Sequence, residues 1–159
     1  MENQKKFGIV MPCYTPSEKV LKRAIDSLID LKDYQNWSLI VVFDGKNEDG
    51  EKVMSGFTDP RIRFITIEHK GACAARNAGA VEILKDPDIA YLSFFSSDFI
   101  AYPGMLRIWS EQFDNHPECG FVYGGYDVLD PNTGKVIGAI NGEEFDYRQL
   151  QTLHHLWHL

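Results

Sequence analysis

Short apolar runs alternate with stretches of helical spacing along this 159-residue chain, and that alternation limits the folds open to it. Phe7–Met11 (FGIVM), Trp37–Phe43 (WSLIVVF), the set Ile62, Phe64, Ile65 and Ile67, and the run from Ile89 to Phe95 each read as a strand. Between the first two runs, Val20, Leu21, Ala24, Ile25, Leu28 and Ile29 recur at helical spacing, with Lys19, Lys22, Arg23 and Asp26 opposite. Parallel strands need such a crossover between them, whereas antiparallel strands need only a turn. The expectation is an α/β fold: a mainly parallel sheet with helices on both faces.

The boundaries follow from local chemistry. Thr15-Pro16-Ser17-Glu18 reads as a capping box with Thr15 as N-cap and Pro16 at the first helical position, opening a helix to about Leu31. Asn47–Gly56 is polar and reads as a loop with a short helix. Lys70-Gly71 leads into ACAARNAGAVEILK, helical to about Lys85, and Asp86-Pro87-Asp88 breaks it. Pro103-Gly104 turns the chain into a helix over Met105–Phe113. Cys119–Tyr126 reads as a fifth strand, and Val128–Ile140 as a hairpin around Asp130-Pro131-Asn132-Thr133-Gly134. A last helix is expected over Asp146–Leu159.

In a parallel sheet the carboxyl ends of the strands share one edge, and ligands of open α/β sheets bind there. The first strand ends at Pro12-Cys13-Tyr14, the second at Asp44-Gly45 and the fourth at Ser96-Ser97-Asp98. The fourth run is too continuous for a half-exposed strand, so it is expected to be buried. A lone carboxylate at its end is partly stripped of water and needs a partner, for which a divalent cation is the natural choice.

The totals exclude several function classes. Net charge is −7, and there is no Lys/Arg cluster, which argues against nucleic acid as a partner. A negative chain that binds a diphosphate must supply positive charge locally, from a metal, an arginine or a helix N-terminus. No apolar run reaches the roughly 18 residues of a membrane span, and no signal-peptide pattern opens the chain. Three cysteines at unrelated spacings, Cys13, Cys73 and Cys119, suit reduced thiols in a cytoplasmic protein.

Four segments, in order, carry a resemblance: IVMPCYTPSEKVLKRAIDSL, LIVVFDGKNED, KGACAARNAGAVEI and LSFFSSDFIAYPGML. Together they resemble the N-terminal, nucleotide-sugar-binding half of a family 2 glycosyltransferase of the GT-A fold. The resemblance implies a truncated GT-A-like domain over residues 1–159 that lacks most of the acceptor half. It implies metal-assisted, inverting transfer from a UDP-sugar to a glycan, lipid or protein acceptor, in the cytoplasm or peripherally at the inner membrane surface. Pro12 and Tyr14 would lie against base and ribose, and Asp44 would accept from the base. Arg76 would pair with the diphosphate or help position the metal-site carboxylate, and Asn77 and the amides near Gly71–Ala72 would shape that helix start. Ser97 would contact the nucleotide, and Asp98 would hold Mn²⁺ or Mg²⁺.

Departures from the family pattern are visible. Ser96, Phe99 and Phe43 stand where acidic residues are common. Glu143-Glu144 comes too early to match the family's catalytic base, so no base is assigned. A non-catalytic nucleotide-binding fragment, or half of a split enzyme, is the alternative. A sugar-phosphate nucleotidyltransferase ranks last, because MPCYTPSEK is no glycine-rich basic loop. His154 and His158 stand at i, i+4, but no third ligand accompanies them. Leu153, Leu156, Trp157 and Leu159 on that apolar helix predict self-association.

Overall fold

A computed structural model describes residues 4–142 of the chain. The chain divides into two compact units, Met1–Glu111 and Gln112–Leu159. The expected helix Asp146–Leu159, its histidines and its self-association lie outside the described residues.

The first unit holds a four-stranded sheet: β1 (Lys6–Cys13), β2 (Trp37–Asp44), β3 (Ile62–Ile67) and β4 (Ile89–Phe94), in the order β3-β2-β1-β4. Every pairing is parallel, with Ile9 opposite Leu39 and Ser93, and Val41 opposite Phe64. The chain walks outward from β1 to β3, then returns to the other side of β1 for β4. The strand order therefore reverses between β1 and β4, and such a reversal opens a crevice at the carboxyl edge.

Side chains alternate across the sheet and fill two cores. Phe7, Ile9 and Met11 of β1 and Leu39, Val41 and Phe43 of β2 pack against Leu21, Ala24, Ile25 and Leu28 of α1 (Glu18–Ile29). Met54 of α2 (Glu48–Ser55) and Leu106 of α4 (Met105–Asn115) join this layer. On the opposite face, Val10, Ile40 and Val42 meet Ala75 and Ile83 of α3 (Ala72–Ile83). Helices thus cover both faces, and β1 and β2 are buried on both, which explains their near-continuous apolar sequences.

Two boundaries differ from expectation. The N-cap of α1 is Ser17, not Thr15; its hydroxyl accepts from the amide of Val20, and Glu18 opens the helix. The carbonyl of Tyr14 is held by Asn47 Nδ2 at 2.8 Å, and residues 14–16 stay outside the helix. Strand β4 is also not buried throughout. Tyr91 packs on Phe7 at 4.9 Å between ring centroids, but Leu92 and Phe94 are 39% and 49% exposed. The reason is its place at the sheet edge: α3 lies over β1 and β2, and leaves that face of β4 uncovered.

In the second unit, β5 (Tyr126–Leu129) and β6 (Val136–Ile140) form the expected antiparallel hairpin. The carboxylate of Asp130 accepts from the amides of Asn132 and Thr133, and Gly134 takes φ +67° to close the turn. The expected strand over Cys119–Tyr126 is absent before Tyr126. Gly120, Gly124 and Gly125 weaken strand formation there, and no neighbour pairs with the segment among the described residues. No helix among the described residues is long and apolar enough to cross a membrane.

Several carboxylates are held below their ordinary values by bonds that exist only in the fold. Lys6 Nζ lies 2.7 Å from Asp86 and lowers its pKa; the Arg61 side chain does the same to Asp59. A depressed folded pKa contributes stability above the unfolded value of 3.8 and loses it as pH falls through the folded value. Thermal melts should therefore show a plateau above about pH 5 and a steady fall below about pH 4. A midpoint that stays level to pH 3 would contradict these assignments.

Candidate active site at the carboxyl edge of the sheet

The ends of β1, β2 and β4 bring Tyr14, Asp44 and Asp98 to one edge, with β1 in the middle. Neighbouring strands lie about 4.8 Å apart, so the tips of β2 and β4 are separated by roughly 10 Å, a span suited to a nucleoside diphosphate. Pro12 falls within β1, opposite Val42. The Val10 carbonyl accepts from Phe95 on the β4 side at 2.9 Å. Backbone directions alternate, so the missing N–H of Pro12 faces the same side beyond the last paired residue of β4, where no ladder bond is lost.

Asp44 is the most heavily bonded carboxylate of the edge. Oδ1 accepts from the Lys70 amide at 2.8 Å, and Oδ2 from the Gly71 amide at 2.9 Å and from His69 Nδ1 at 3.0 Å. The Lys70 amide leads in holding its pKa below 3.8; burial opposes this, and Gly71 and His69 add to it. Asp44 thereby ties the tip of β2 to the start of α3, where Gly71 is the N-cap at φ +90°. Gly45, at φ +107°, turns the chain away; a Cβ there would lie 3.4 Å from His69 Cβ.

The tip of β1 is fixed from both sides. Asn47 caps α2 by accepting from Gly50 at 2.8 Å while it holds Tyr14. The Cys13 thiol is buried, which pushes its pKa up to about 12 against a hydrogen bond with the Ser97 side chain. Ser97 thus braces β1 against the loop after β4. The thiol stays protonated and is no nucleophile. In that loop, Ser96 Oγ lies 2.5 Å from Asp98 Oδ1, and Phe99 packs edge-on against the buried Phe95.

Arg76 and Asn77 are exposed on the second turn of α3. Among the described residues Arg76 forms no hydrogen bond or ion pair, so nothing joins it to Asp44 or Asp98. Its guanidinium is available to an anion at the same helix end that offers the first free amides of α3.

The donor set for a cation is sparse. No group of three or more His, Cys, Asp or Glu side chains converges among the described residues. Asp98 offers one exposed carboxylate, with Ser96 bonded to one of its oxygens. Mg²⁺ or Mn²⁺ with a single protein carboxylate fits this chemistry, since such ions retain waters and take phosphate oxygens as ligands.

Sequence reasoning passed over His69, Asn47 and the Cys13–Ser97 bond. His69 could have been found by the rule that singled out Asp44 and Asp98, because it follows the last residue of β3 by two positions.

Comparison with known proteins identifies the family and agrees with the fold. The sequence model of "Glycosyl transferase family 2" matches residues 8–157. The chain is 31% identical over 146 residues to the Escherichia coli UDP-Glc:alpha-D-GlcNAc-diphosphoundecaprenol beta-1,3-glucosyltransferase WfgD, covering 90% of this chain and 54% of that protein. Identity to Glycosyltransferase GlyG of Streptococcus pneumoniae is 26%, over 91% of this chain and 46% of that one. The chain therefore spans about half the length of these curated relatives. The crystal structure of S. aureus TarS 1-349 superposes with TM-score 0.59 at 21% identity, over 70% of this chain and 33% of that one, a likeness of fold. With a parallel sheet whose order reverses beside β1, and a family match over nearly the whole sequence, the chain belongs to glycosyl transferase family 2.

Proposed function

We propose that this chain is the donor-binding part of a glycosyltransferase that uses a UDP-sugar with Mn²⁺ or Mg²⁺ and inverts the anomeric carbon. The observation that carries the reading is the placement of Tyr14, Asp44 and Asp98 along one sheet edge on three adjacent strand tips. Tyr14 and Asp44 mark the nucleobase end, and Asp98 the diphosphate end. Arg76 and the free amides of the first turn of α3, from Ala72 on, supply the positive potential that an acidic chain otherwise lacks. A divalent cation held by Asp98 offsets the negative charge that develops on the departing diphosphate. Ser96 orients that carboxylate, and Ser97 keeps the loop against β1.

The E. coli relative is named for a UDP-Glc donor and a diphosphoundecaprenol-linked acceptor. A lipid-linked acceptor is accordingly the class favoured over free glycan or protein, which would place the enzyme in the cytoplasm, peripheral at the inner membrane surface. Calorimetric titration of UDP tests the donor reading. Mn²⁺ should tighten UDP binding by about tenfold or more, the worth of one charge-assisted contact, and Asp98→Ala should remove that gain. Equal affinity with and without Mn²⁺ would exclude the metal role.

A second reading, a nucleotide-binding part without turnover of its own, is favoured by the sparse donor set at the diphosphate end. Asp98 offers one carboxylate there, and no group of three or more metal-ligating side chains converges among the described residues. UDP-sugar hydrolysis or transfer by this chain excludes it, and tight UDP binding without turnover supports it.

A further inference from the structure

His69 belongs to none of the motifs that suggested a site, yet three strand tips meet on its ring. The imidazole lies face to face with the Tyr14 phenol, centroids 4.6 Å apart and planes at 19°. Nδ1 lies 3.0 Å from Asp44 Oδ2 and 3.1 Å from the Asp44 carbonyl oxygen. Both of those atoms are acceptors, so Nδ1 carries a proton, and in the neutral ring the lone pair then stands on Nε2. Nε2 has no hydrogen bond among the described residues. Gly45, at φ +107°, makes the turn that leaves room beside both rings, a backbone conformation that other residues rarely adopt.

Accessibility then separates the two residues. The Asp44 side chain is 5% exposed and the His69 side chain 58%. Both Asp44 oxygens already face inward, onto the Lys70 and Gly71 amides and His69 Nδ1. A ligand arriving at this edge therefore meets the imidazole before it meets the carboxylate. The acceptor that the cluster presents to solvent is His69 Nε2, held in one orientation by Asp44 and by the Tyr14 ring.

Resting on the donor reading above, we propose that His69 is the residue that reads the hydrogen-bonding edge of the nucleobase, with Asp44 as the positioning residue that fixes its tautomer. An outward acceptor selects a base whose ring edge carries an N–H. Uracil presents N3–H, whereas N3 of cytosine is itself an acceptor and would face the Nε2 lone pair. A buried polar atom left unmatched costs more than a made bond gains, so the contact discriminates chiefly by rejecting cytosine. The Tyr14 ring, 56% exposed, supplies the adjoining flat surface for stacking.

The test compares UDP and CDP by calorimetry in the presence of Mn²⁺, on the full chain and on His69→Phe. Phenylalanine keeps a flat ring against Tyr14 and deletes both nitrogens. The unmodified chain should prefer UDP by about tenfold, the worth of one discriminating hydrogen bond. In His69→Phe, UDP affinity should fall by about the same factor while CDP changes less than about twofold, so the preference disappears. A preference for UDP that survives His69→Phe overturns the proposal and leaves the donor reading standing. A chain that binds neither nucleotide overturns both. The ring nitrogens give a readout that needs no nucleotide: ¹⁵N shifts of His69 in the free chain should show Nδ1 protonated and Nε2 bare. Asp44→Asn, which keeps the backbone carbonyl and one side-chain acceptor, should weaken that asymmetry. The opposite tautomer in the free chain overturns the proposal even if UDP binds.

Discussion

Gly79→Ala is expected to be among the most damaging single-methyl additions in the molecule. Gly79 faces the sheet from the middle of α3, between Ala75 and Ile83, and a Cβ at this position would lie 2.3 Å from Val10 Cγ1 and 2.8 Å from Val42 Cγ2. Both valines are fully buried, and β-branched side chains have few alternative rotamers. The helix must therefore lift off β1 and β2 or distort them. On an exposed helix face the same change would gain about 1 kcal/mol in helix propensity. Here overpacking outweighs that gain, with a net loss of about 3 kcal/mol and a fall in thermal midpoint of roughly 10 °C. Val10→Ala removes the methyl nearest to the new Cβ, so the double variant should recover part of the loss. An unchanged melting temperature for Gly79→Ala would show that α3 docks less closely than the structure has it.

Asp44→Ala should weaken nucleotide binding severely while leaving the two cores intact. The substitution removes three inward bonds at once, to the amides of Lys70 and Gly71 and to His69 Nδ1. The N-cap of α3 has no side-chain hydrogen bond of its own, and among the described residues the Gly71 amide has no acceptor besides Asp44. Amides left without an acceptor turn toward water, and the loop carrying them moves. UDP affinity should drop by about a hundredfold, the equivalent of two lost charge-assisted contacts. Asp44→Asn keeps one acceptor and should lose less. Calorimetry on both variants, with circular dichroism to verify the fold, provides the measurement. UDP affinity for Asp44→Ala within about threefold of the parent chain, well under one such contact, would rule out this role.

Much of the fold could be read from the sequence because burial on both faces leaves an unmistakable record. The runs Phe7–Met11 and Trp37–Phe43 are continuous since α1 covers one face and α3 the other. The run Ile89–Phe95 looks the same on paper, yet its strand stands at the edge with Leu92 and Phe94 half bare. Apolarity records what a side chain tolerates, not whether a helix lies above it. The misplaced cap of α1 has a similar cause: two hydroxyls flank Pro16, and the bond from Asn47 to the Tyr14 carbonyl lies 33 residues away in sequence. The turn at Asp130–Gly134 was legible because its chemistry is local.

The edge itself was half legible. Asp44 and Asp98 stand where the strand rule puts ligand contacts, and the structure brings both to the same side of the sheet. His69 escaped notice because its position between Tyr14 and Asp44 depends on three segments folding together. Its place two residues past β3 pointed to the edge, but no spacing encodes its meeting with Tyr14 and Asp44.

The two ends of the crevice are anchored unequally. Asp44 stands on β2, which has a hydrogen-bonded neighbour on each side and apolar layers above and below. Asp98 follows β4, which among the described residues is laddered to β1 alone and bare on one face. Local opening costs least where fewest contacts resist it, so a nucleotide would find a firm seat for its base and a yielding one for its phosphates. A ligand spanning both would brace β4 through Asp98, and the order gained by that strand would belong to the bound state.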